Sequence, residues 1–334
     1  MRSRFMVRVR GYLAVAVAVA LAALPMLALS GAAGAQAYPD KPIRIVAPFA
    51  AGGSVDIVAR IVGQKLTESL GQPVTIDNRT GASGMIGVDM VAKSKPDGYV
   101  LLVNSSIHVI VPSLYPSITY DPVADFVAVG QVTEVPIVML AGMTSPFKTV
   151  ADVIAAGKAS ASPLAYASAG SGSLAHMAGE VFGRVSGVKM QQIPYKGSGA
   201  AMGDVVGGQV PLMFDALTAA MPLIKGGKLR ALAVGSVKRS PLLPDVPTFQ
   251  ELGMPQMNMS TWHGVWAPKG TPQEVVNKLS AEIVKMVAQA DTREKIEGLG
   301  GVPIGNTPAQ FDAFQKAERT KWDTIIKTTG VKAD

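Results

Sequence analysis

The chain has 334 residues and no cysteine, with 16% charged and 48% hydrophobic residues and a formal net charge of +7. The absence of cysteine excludes disulfides, thiolate metal sites, a thiolate nucleophile and a lipid-modified cysteine. Four arginines lie in the first ten positions, and without them the net charge falls from +7 to +3, too weak for a nucleic-acid-binding surface. We therefore expect a packed globular protein with no nucleic-acid partner, no metal and no cofactor.

The N-terminal segment has the three parts of an export signal. Basic residues from Arg2 to Arg10 precede an apolar run from Leu13 to Leu29, and a small-residue site follows at Ala35-Gln36-Ala37. A permanent anchor helix is the alternative, because the run is nearly long enough to cross a bilayer. Pro25 and the small-residue site favour cleavage after Ala37. We expect residues 1–37 to be removed and the remainder to be a soluble exported protein.

The segment after the signal alternates short apolar strands with amphipathic helices. A strand is predicted from Ile43 to Ala47, and a glycine turn at 52–54 separates it from a predicted helix over 55–66. Two more strands are predicted at 74–76 and 99–103, with a helix between them. A repeated order of strand, turn, helix and strand indicates an α/β protein built around parallel sheets.

The same unit occurs a second time, with a strand at 164–167, a turn at 170–173 and an amphipathic helix. We expect two lobes, each with a central, mainly parallel sheet flanked by helices, and a ligand cleft between them. The chain would cross between the lobes near 136–146 and 240–255, which makes a hinge. Lobe 1 would comprise residues 38–139 and 262–334, and lobe 2 residues 140–261.

The first candidate anion site is the turn over residues 47–56. Glycines such as Gly53 let the backbone approach a ligand, and the N–H groups that open the next helix attract an anion. Ser54 lies at this helix start, and Phe49 offers an apolar wall. An ordinary strand-to-helix turn is the alternative, in which Ser54 and Asp56 only cap the helix and complement its dipole.

A second candidate site is the turn over residues 168–173. Ser171, Gly172 and Ser173 would offer N–H groups and hydroxyls to one carboxylate without any buried Arg or Lys. His176 lies one turn into the following helix, off its apolar stripe and four residues before Glu180. The alternatives for His176 are a role facing the ligand and a solvent-exposed pair with Glu180.

Asp215 directly follows a strand predicted over 210–214. It would therefore lie at the C-terminal end of that strand, where ligands bind in open α/β sheets, although a helix-capping role is equally consistent with its position.

Signatures of catalysis are scarce. The chain has no phosphate-binding loop and no nucleophile elbow, and its three histidines show no metal-ligand spacing. The rival to a binding protein is an exported α/β hydrolase or transferase that pairs Ser171 or Ser173 with His176. We expect that the protein is not an enzyme.

Short motifs follow one another in a fixed order along nearly the whole chain after the signal. They are Tyr38–Arg44, Pro48–Asp56, Asn78–Ala82, Pro96–Tyr99, Ser171–His176, Pro194–Gly197, Leu243–Thr248 and Ala267–Pro272. In order and spacing they resemble the substrate-binding receptors of tripartite tricarboxylate transporters, called the Bug family. One departure from the family pattern is Ala50-Ala51, where a proline usually lies beside the glycines.

This resemblance implies a type II periplasmic binding protein fold, with a ligand carboxylate held by the two glycine turns through N–H groups, hydroxyls and water. By motif position, the binding residues would be Phe49, Gly53, Ser54, Ser171, Gly172, Ser173 and Asp215. The resemblance also implies a monomer in the periplasm of a Gram-negative bacterium. Its ligand would be a small mono-, di- or tricarboxylate and its partners membrane permease subunits. A sensor that presents the ligand without serving transport would use the same site.

Overall fold

The computed structural model describes residues 38–115 and 117–329, so the predicted signal at 1–37 lies outside the described residues. The described strands are β1 (Ile43–Ala47), β2 (Val74–Asn78), β3 (Val100–Ser105), β4 (Phe126–Gly142), β5 (Leu164–Ser168), β6 (Met190–Pro194), β7 (Leu212–Ala216), β8 (Leu229–Val234), β9 (Ser260–Pro268) and β10 (Val302–Pro303). The described helices are α1 (Ser54–Leu70), α2 (Met85–Ala92), α3 (Ile107–Leu114), α4 (Val150–Ala159), α5 (Leu174–Ser186), α6 (Ser198–Val206), α7 (Leu217–Lys225), α8 (Gln273–Ala288), α9 (Ala290–Glu297) and α10 (Pro308–Thr329). Within these residues, no helix has both the length and the apolar character needed to cross a membrane.

Two groups of parallel strands form the predicted α/β units. In the first group β1 lies between β2 and β3 and pairs with both in parallel. In the second group β5 lies between β6 and β7, again in parallel. A helix connects each successive pair of strands along the chain, because a parallel pair needs a crossover connection. Each candidate turn therefore follows the C-terminal end of a parallel strand, β1 for the first turn and β5 for the second.

The 17-residue strand β4 joins the two groups. Its first part, Phe126 to Pro136, pairs antiparallel with β9, which in turn pairs with β3. Its second part, from Ile137 onward, pairs antiparallel with β7 and β8. The sequence predicted only a crossing between the lobes near 136–146, so the first half of this strand was missed. One continuous strand thus belongs to both sheet regions and changes partners at Ile137.

Backbone hydrogen bonds tie three crossing segments together at this point. The carbonyl of Ile137 accepts from the N–H of Gly235 at 2.7 Å, and the N–H of Ile137 donates to the carbonyl of Met259 at 3.0 Å. Met259 in turn donates to the carbonyl of Gly235 at 3.0 Å. A Cβ on Gly235 would lie 2.8 Å from a carbonyl oxygen of Met257, so only glycine allows the segments to come this close.

An apolar cluster extends across both sheet regions. Tyr166 of β5, Phe214 of β7 and Phe182 of α5 belong to this cluster, and Leu114 of α3 and Trp322 of α10 pack into it as well. Helices that follow strands of the first sheet region therefore bury side chains against the second region. Such burial stabilises by about 25 cal/mol for each Å² of apolar surface removed from water.

Gly264 in the middle of β9 tests how the last helix packs. A Cβ at this position would overlap the ring of Phe311 in α10. We expect Gly264→Ala to lower the free energy of unfolding by about 1–3 kcal/mol, as measured by urea unfolding, because overpacking displaces the helix. The matched control is Gly203→Ala in α6, where nothing lies within 4 Å of the new Cβ and where alanine favours the helix. An unchanged midpoint for Gly264→Ala would contradict this packing.

Candidate functional site

The first candidate turn begins helix α1 without a side-chain cap. Gly53 is the N-cap residue, in an extended conformation, and Ser54 is the first helical residue and 8% exposed. The interpretation of Ser54 as a capping residue is therefore wrong. The N–H groups of Ser54 and Val55 open the helix and have no acceptor within it, so they are available in principle to an anion.

Asp56 fixes the shape of this turn from inside. Its carboxylate accepts the N–H of Gly52 at 2.9 Å, the guanidinium Nε of Arg60 at 2.9 Å and the amide of Asn78 at 3.0 Å. Burial alone would raise the pKa of Asp56, but these hydrogen bonds together lower it. Asp56 is thus a paired, ionised group that holds the turn and leaves the end of the helix open.

Phe49 lies under a second loop that the sequence analysis did not assign to the site. This loop, residues 81–84, has left-handed backbone at both Ala82 (φ 46°) and Ser83 (φ 52°), which is unusual for residues with a Cβ. Gly84 sits over the Phe49 ring, since a Cβ there would lie 3.0 Å from the ring. The Ser83 hydroxyl is 3.3 Å from the hydroxyl of Tyr115. Strained backbone of this kind concentrates at functional sites, and the flanking glycines were its signal in the sequence.

The second candidate turn is closed by its own helix, α5. Ser173 caps the helix, because its hydroxyl accepts the main-chain N–H of His176 at 3.2 Å. The N–H of Gly172 donates to Nδ1 of His176 at 3.2 Å. His176 does pair with Glu180, with 3.9 Å between Nε2 and Oε1, but it is only 4% exposed, so the expectation that this pair is solvent-exposed is wrong. His176 braces the turn, and the N–H of Gly172 is already used in that contact.

A network of neutral side chains supports the same turn. Ser171 donates to the Gln192 amide oxygen at 3.3 Å, and the Gln192 amide nitrogen donates to the hydroxyl of Ser168 at 2.7 Å. The Ser168 hydroxyl also accepts the N–H of Gly170 at 3.3 Å. Gln192 was not among the predicted residues, because one polar residue on a strand gives no signal of its own. These hydrogen bonds fix the orientation of the turn, and none of the side chains that form them carries a charge.

The two candidate turns meet the segment Tyr195–Gly199. The N–H of Ala50 in the first turn donates to the carbonyl of Lys196 at 3.0 Å. A Cβ on Gly53 would lie 3.5 Å from Ser198, and a Cβ on Gly170 in the second turn would lie 3.2 Å from the carbonyl of Tyr195. The structure therefore brings both predicted turns into contact with one segment.

Asp215 lies inside β7, not after it, because the strand runs from Leu212 to Ala216. One carboxylate oxygen, Oδ1, accepts the Ser198 hydroxyl and the Ala216 N–H, each at 2.8 Å. The other, Oδ2, is buried without a partner among the described residues. Burial raises the pKa of Asp215 to about 7, although the two hydrogen bonds favour its ionised form.

Among the described residues, no group of three or more histidine, aspartate and glutamate side chains could hold a metal ion.

One cavity among the described residues, of about 730 Å³, is lined by none of the predicted site residues. Its walls include Glu134, Val237 and Val302, together with Glu294 and Glu297 near the C-terminal end of α9. Its walls also include Lys238, Arg239 and Arg293, so the cavity is lined by charged side chains of both signs.

Comparisons with known proteins agree with the fold. A family model for the receptors of the tripartite tricarboxylate transporter family matches residues 58–331. The chain is 39% identical over 300 residues to Protein BugT of Bordetella pertussis, a match that covers 89% of this chain and 92% of BugT. It is also similar to the solved periplasmic binding protein BugD, with a TM-score of 0.85 and 37% identity over 88% of this chain and 99% of that chain.

Two further solved structures contain a bound acid. One is an R. palustris protein with adipate, with a TM-score of 0.85 and 34% identity over 88% of this chain and 99% of that chain. The other is MatC from Rhodopseudomonas palustris with bound malate, with a TM-score of 0.82 and 32% identity over 86% of this chain and all (100%) of that chain. These matches confirm the predicted periplasmic binding protein fold and the solute-binding class. The chain therefore belongs to the receptor family of the tripartite tricarboxylate transporters.

Proposed function

We propose that this protein is a periplasmic, monomeric receptor that captures a small organic carboxylate between two lobes and delivers it to membrane permease subunits, without catalysing a reaction. The observation that carries the proposal is the meeting of helix N-termini in one buried region. Gly53 before α1 and Ser198 at the start of α6 are in contact, and Ser173 caps the neighbouring α5. Several helix dipoles and open N–H groups would then act on one anion.

The chemistry of the buried residues supports an anion held by neutral donors. No lysine or arginine is among the buried residues that the structure describes. A carboxylate bound here would exchange water for main-chain N–H groups and hydroxyls, and hydrogen bonds to a charged group stabilise by about 1.5–3 kcal/mol each. The adipate and malate in related structures support a dicarboxylate as the ligand.

We keep the lobe boundaries as 38–139 with 262–334 and 140–261. Their support is the change of partners of β4 at Ile137, together with the crossings at Gly235 and Met259. Because backbone hydrogen bonds join the three segments at Ile137, Gly235 and Met259, opening would be a rigid-body rotation of the lobes about these residues. The proposed ligand-binding residues are Phe49, Gly53, Ser54, Ser171, Ser173 and Asp215, with Gly172 and His176 shaping the second turn.

The serine contacts give no support to the rival hydrolase. Ser173 accepts the main-chain N–H of His176, and Ser171 donates to Gln192. A nucleophilic serine would instead donate its hydroxyl proton to an imidazole nitrogen. In addition, Nδ1 of His176 accepts from Gly172 and is committed to the turn.

Binding of acids tests the proposal first. Protein refolded from denaturant, and so free of carried-over ligand, is titrated with adipate, malate and other mono-, di- and tricarboxylates in a calorimeter. We expect micromolar binding of at least one acid and binding of its diamide that is roughly 100-fold or more weaker, because the amide lacks the charge that the helix dipoles attract. Gly53→Val should abolish binding, because its side chain would fill the space toward Ser198. Failure of every acid to bind would contradict the proposal.

Closure of the lobes is tested by a pair of glycine variants in α6. A Cβ on Gly199 would overlap the carbonyl oxygen of Ala51 in the first turn, whereas a Cβ on Gly203 meets nothing within 4 Å. We expect Gly199→Ala to weaken ligand binding by at least about tenfold, since it opposes the contact between the turns, and to leave the melting temperature of the ligand-free protein nearly unchanged. Gly203→Ala should bind like the wild type. Equal affinities of the two variants would argue against closure through this contact.

A further inference from the structure

The buried charges of the described residues are unbalanced. Asp56 and Asp215 are the buried carboxylates, and no buried lysine or arginine accompanies them. Asp56 has a cationic partner, because Arg60 reaches its carboxylate from the surface. Asp215 has only the neutral donors Ser198 and Ala216 on one oxygen, and its second oxygen is without a partner among the described residues. A buried carboxylate in this condition favours the protonated form.

The elements packed against β7 do not supply the missing positive charge. They are β4, β5, α5, α6 and α7, and their titratable side chains are Glu134, Tyr166, His176, Glu180, Arg184, Asp204 and Lys225. Glu134 bonds to Ser260, Asp204 to the Tyr195 hydroxyl and Lys225 to the carbonyl of Gly298. Burial dominates the raised pKa of Asp215, with opposing hydrogen bonds from Ser198 and Ala216, and no charged side chain contributes.

The Ser198 side chain lies between Asp215 and the proposed position of the anion. Ser198 donates to Asp215, and it lies against the position that a Cβ of Gly53 would occupy at the start of α1. The proposed carboxylate binds at that helix start. Two like charges that share a buried site with no cation between them cannot both remain ionised without a large penalty, so one of them takes up a proton. The ligand is held by donors, whereas Oδ2 of Asp215 has none, so the proton goes to Asp215.

We propose that capture of the carboxylate is coupled to the uptake of a proton by Asp215, so that the receptor binds an anion and a proton together. The proposal rests on the proposed function, because it needs a carboxylate in this site. The proton comes from solvent and forms an O–H bond at Oδ2, while Oδ1 continues to accept from Ser198 and Ala216. The neutral carboxyl is then also a donor, which a carboxylate is not.

The stability of the ligand-free protein shows whether Asp215 is proton-binding at all. Its folded-state pKa of about 7 lies above its ordinary value of 3.8, so the folded protein binds more protons than the unfolded chain between these values. Stability that depends on this group is present at low pH and is lost as the pH rises from about 4 to about 7. We expect Asp215→Asn to melt at a higher temperature than the wild type at pH 8 and to lose this advantage toward pH 4. A variant that melts lower at both values would oppose a proton-binding Asp215.

Calorimetry with adipate and malate tests the coupling itself. Titrations at pH 8 are run in phosphate and in Tris, two buffers with different ionisation enthalpies. The difference between the two binding heats, divided by the difference between these enthalpies, gives the number of protons exchanged with the buffer. We expect an uptake of about 0.9 proton at pH 8 and about 0.1 at pH 6, with a dissociation constant about tenfold weaker at pH 8 than at pH 6. In Asp215→Asn both the uptake and the pH dependence should disappear. Asp204→Asn, which removes a carboxylate from the same helix as Ser198, should keep both.

Each other outcome counts against the coupling. Tight binding of adipate or malate with no proton uptake at pH 8 would overturn it and leave the receptor function standing. Uptake that persists in Asp215→Asn would assign the proton to another group. Binding of amino acids without proton uptake, in preference to both dicarboxylates, would show that a ligand ammonium supplies the positive charge. If no acid binds at any pH, the proposed function fails and the coupling falls with it.

Discussion

A carboxylate that leaves water loses the stabilisation of its hydration shell. Among residues 38–115 and 117–329, no buried lysine or arginine is present to compensate for that loss. The remaining means of stabilising a buried anion are neutral donors and the ends of helices. Those donors must lie close together, so strands must deliver several helix starts to one place. The parallel groups β1 to β3 and β5 to β7 do this, because each strand of a parallel group runs into its helix at the same edge.

Close approach explains where the glycines stand. Gly53, Gly197 and Gly199 lie at the contact between the first turn and the segment Tyr195–Gly199, and a Cβ at Gly197 would come within 2.9 Å of the Ala50 nitrogen. Asp56 fixes the first turn by accepting the N–H of Gly52 with its carboxylate. His176 fixes the second turn by accepting the N–H of Gly172 at Nδ1. In the proposed site, the groups that shape the turns are thus different from the groups that remain open to a ligand.

The strand β4 belongs to both sheet regions. We propose that each region stays rigid while the chain bends near Ile137, where Gly235 and Met259 are hydrogen-bonded to the same strand. A bound anion in such a protein would stabilise the closed arrangement in proportion to its difference in affinity for the two states.

The sequence predicted the α/β units, both candidate turns and the family, since hydrophobic periodicity and glycine turns are local signals. It missed the start of β4 and placed β7 two residues too early, because strand ends depend on pairing with distant strands. It also gave His176 an exposed alternative, although that side chain is buried by residues that periodicity does not bring together. Loop 81–84 and Gln192 joined the site only through tertiary contacts, which no spacing along the chain reports.

The most direct test of the account is a crystal structure with the tightest-binding of the acids bound. We expect a carboxylate whose oxygens accept from main-chain N–H groups at the starts of α1 and α5, within about 3.2 Å, and with no lysine or arginine side chain in contact. We also expect the ligand to lie between the turn at Gly53 and the turn at Ser173. A ligand in the cavity lined by Val237 and Val302, or one held by a basic side chain, would contradict the proposed site.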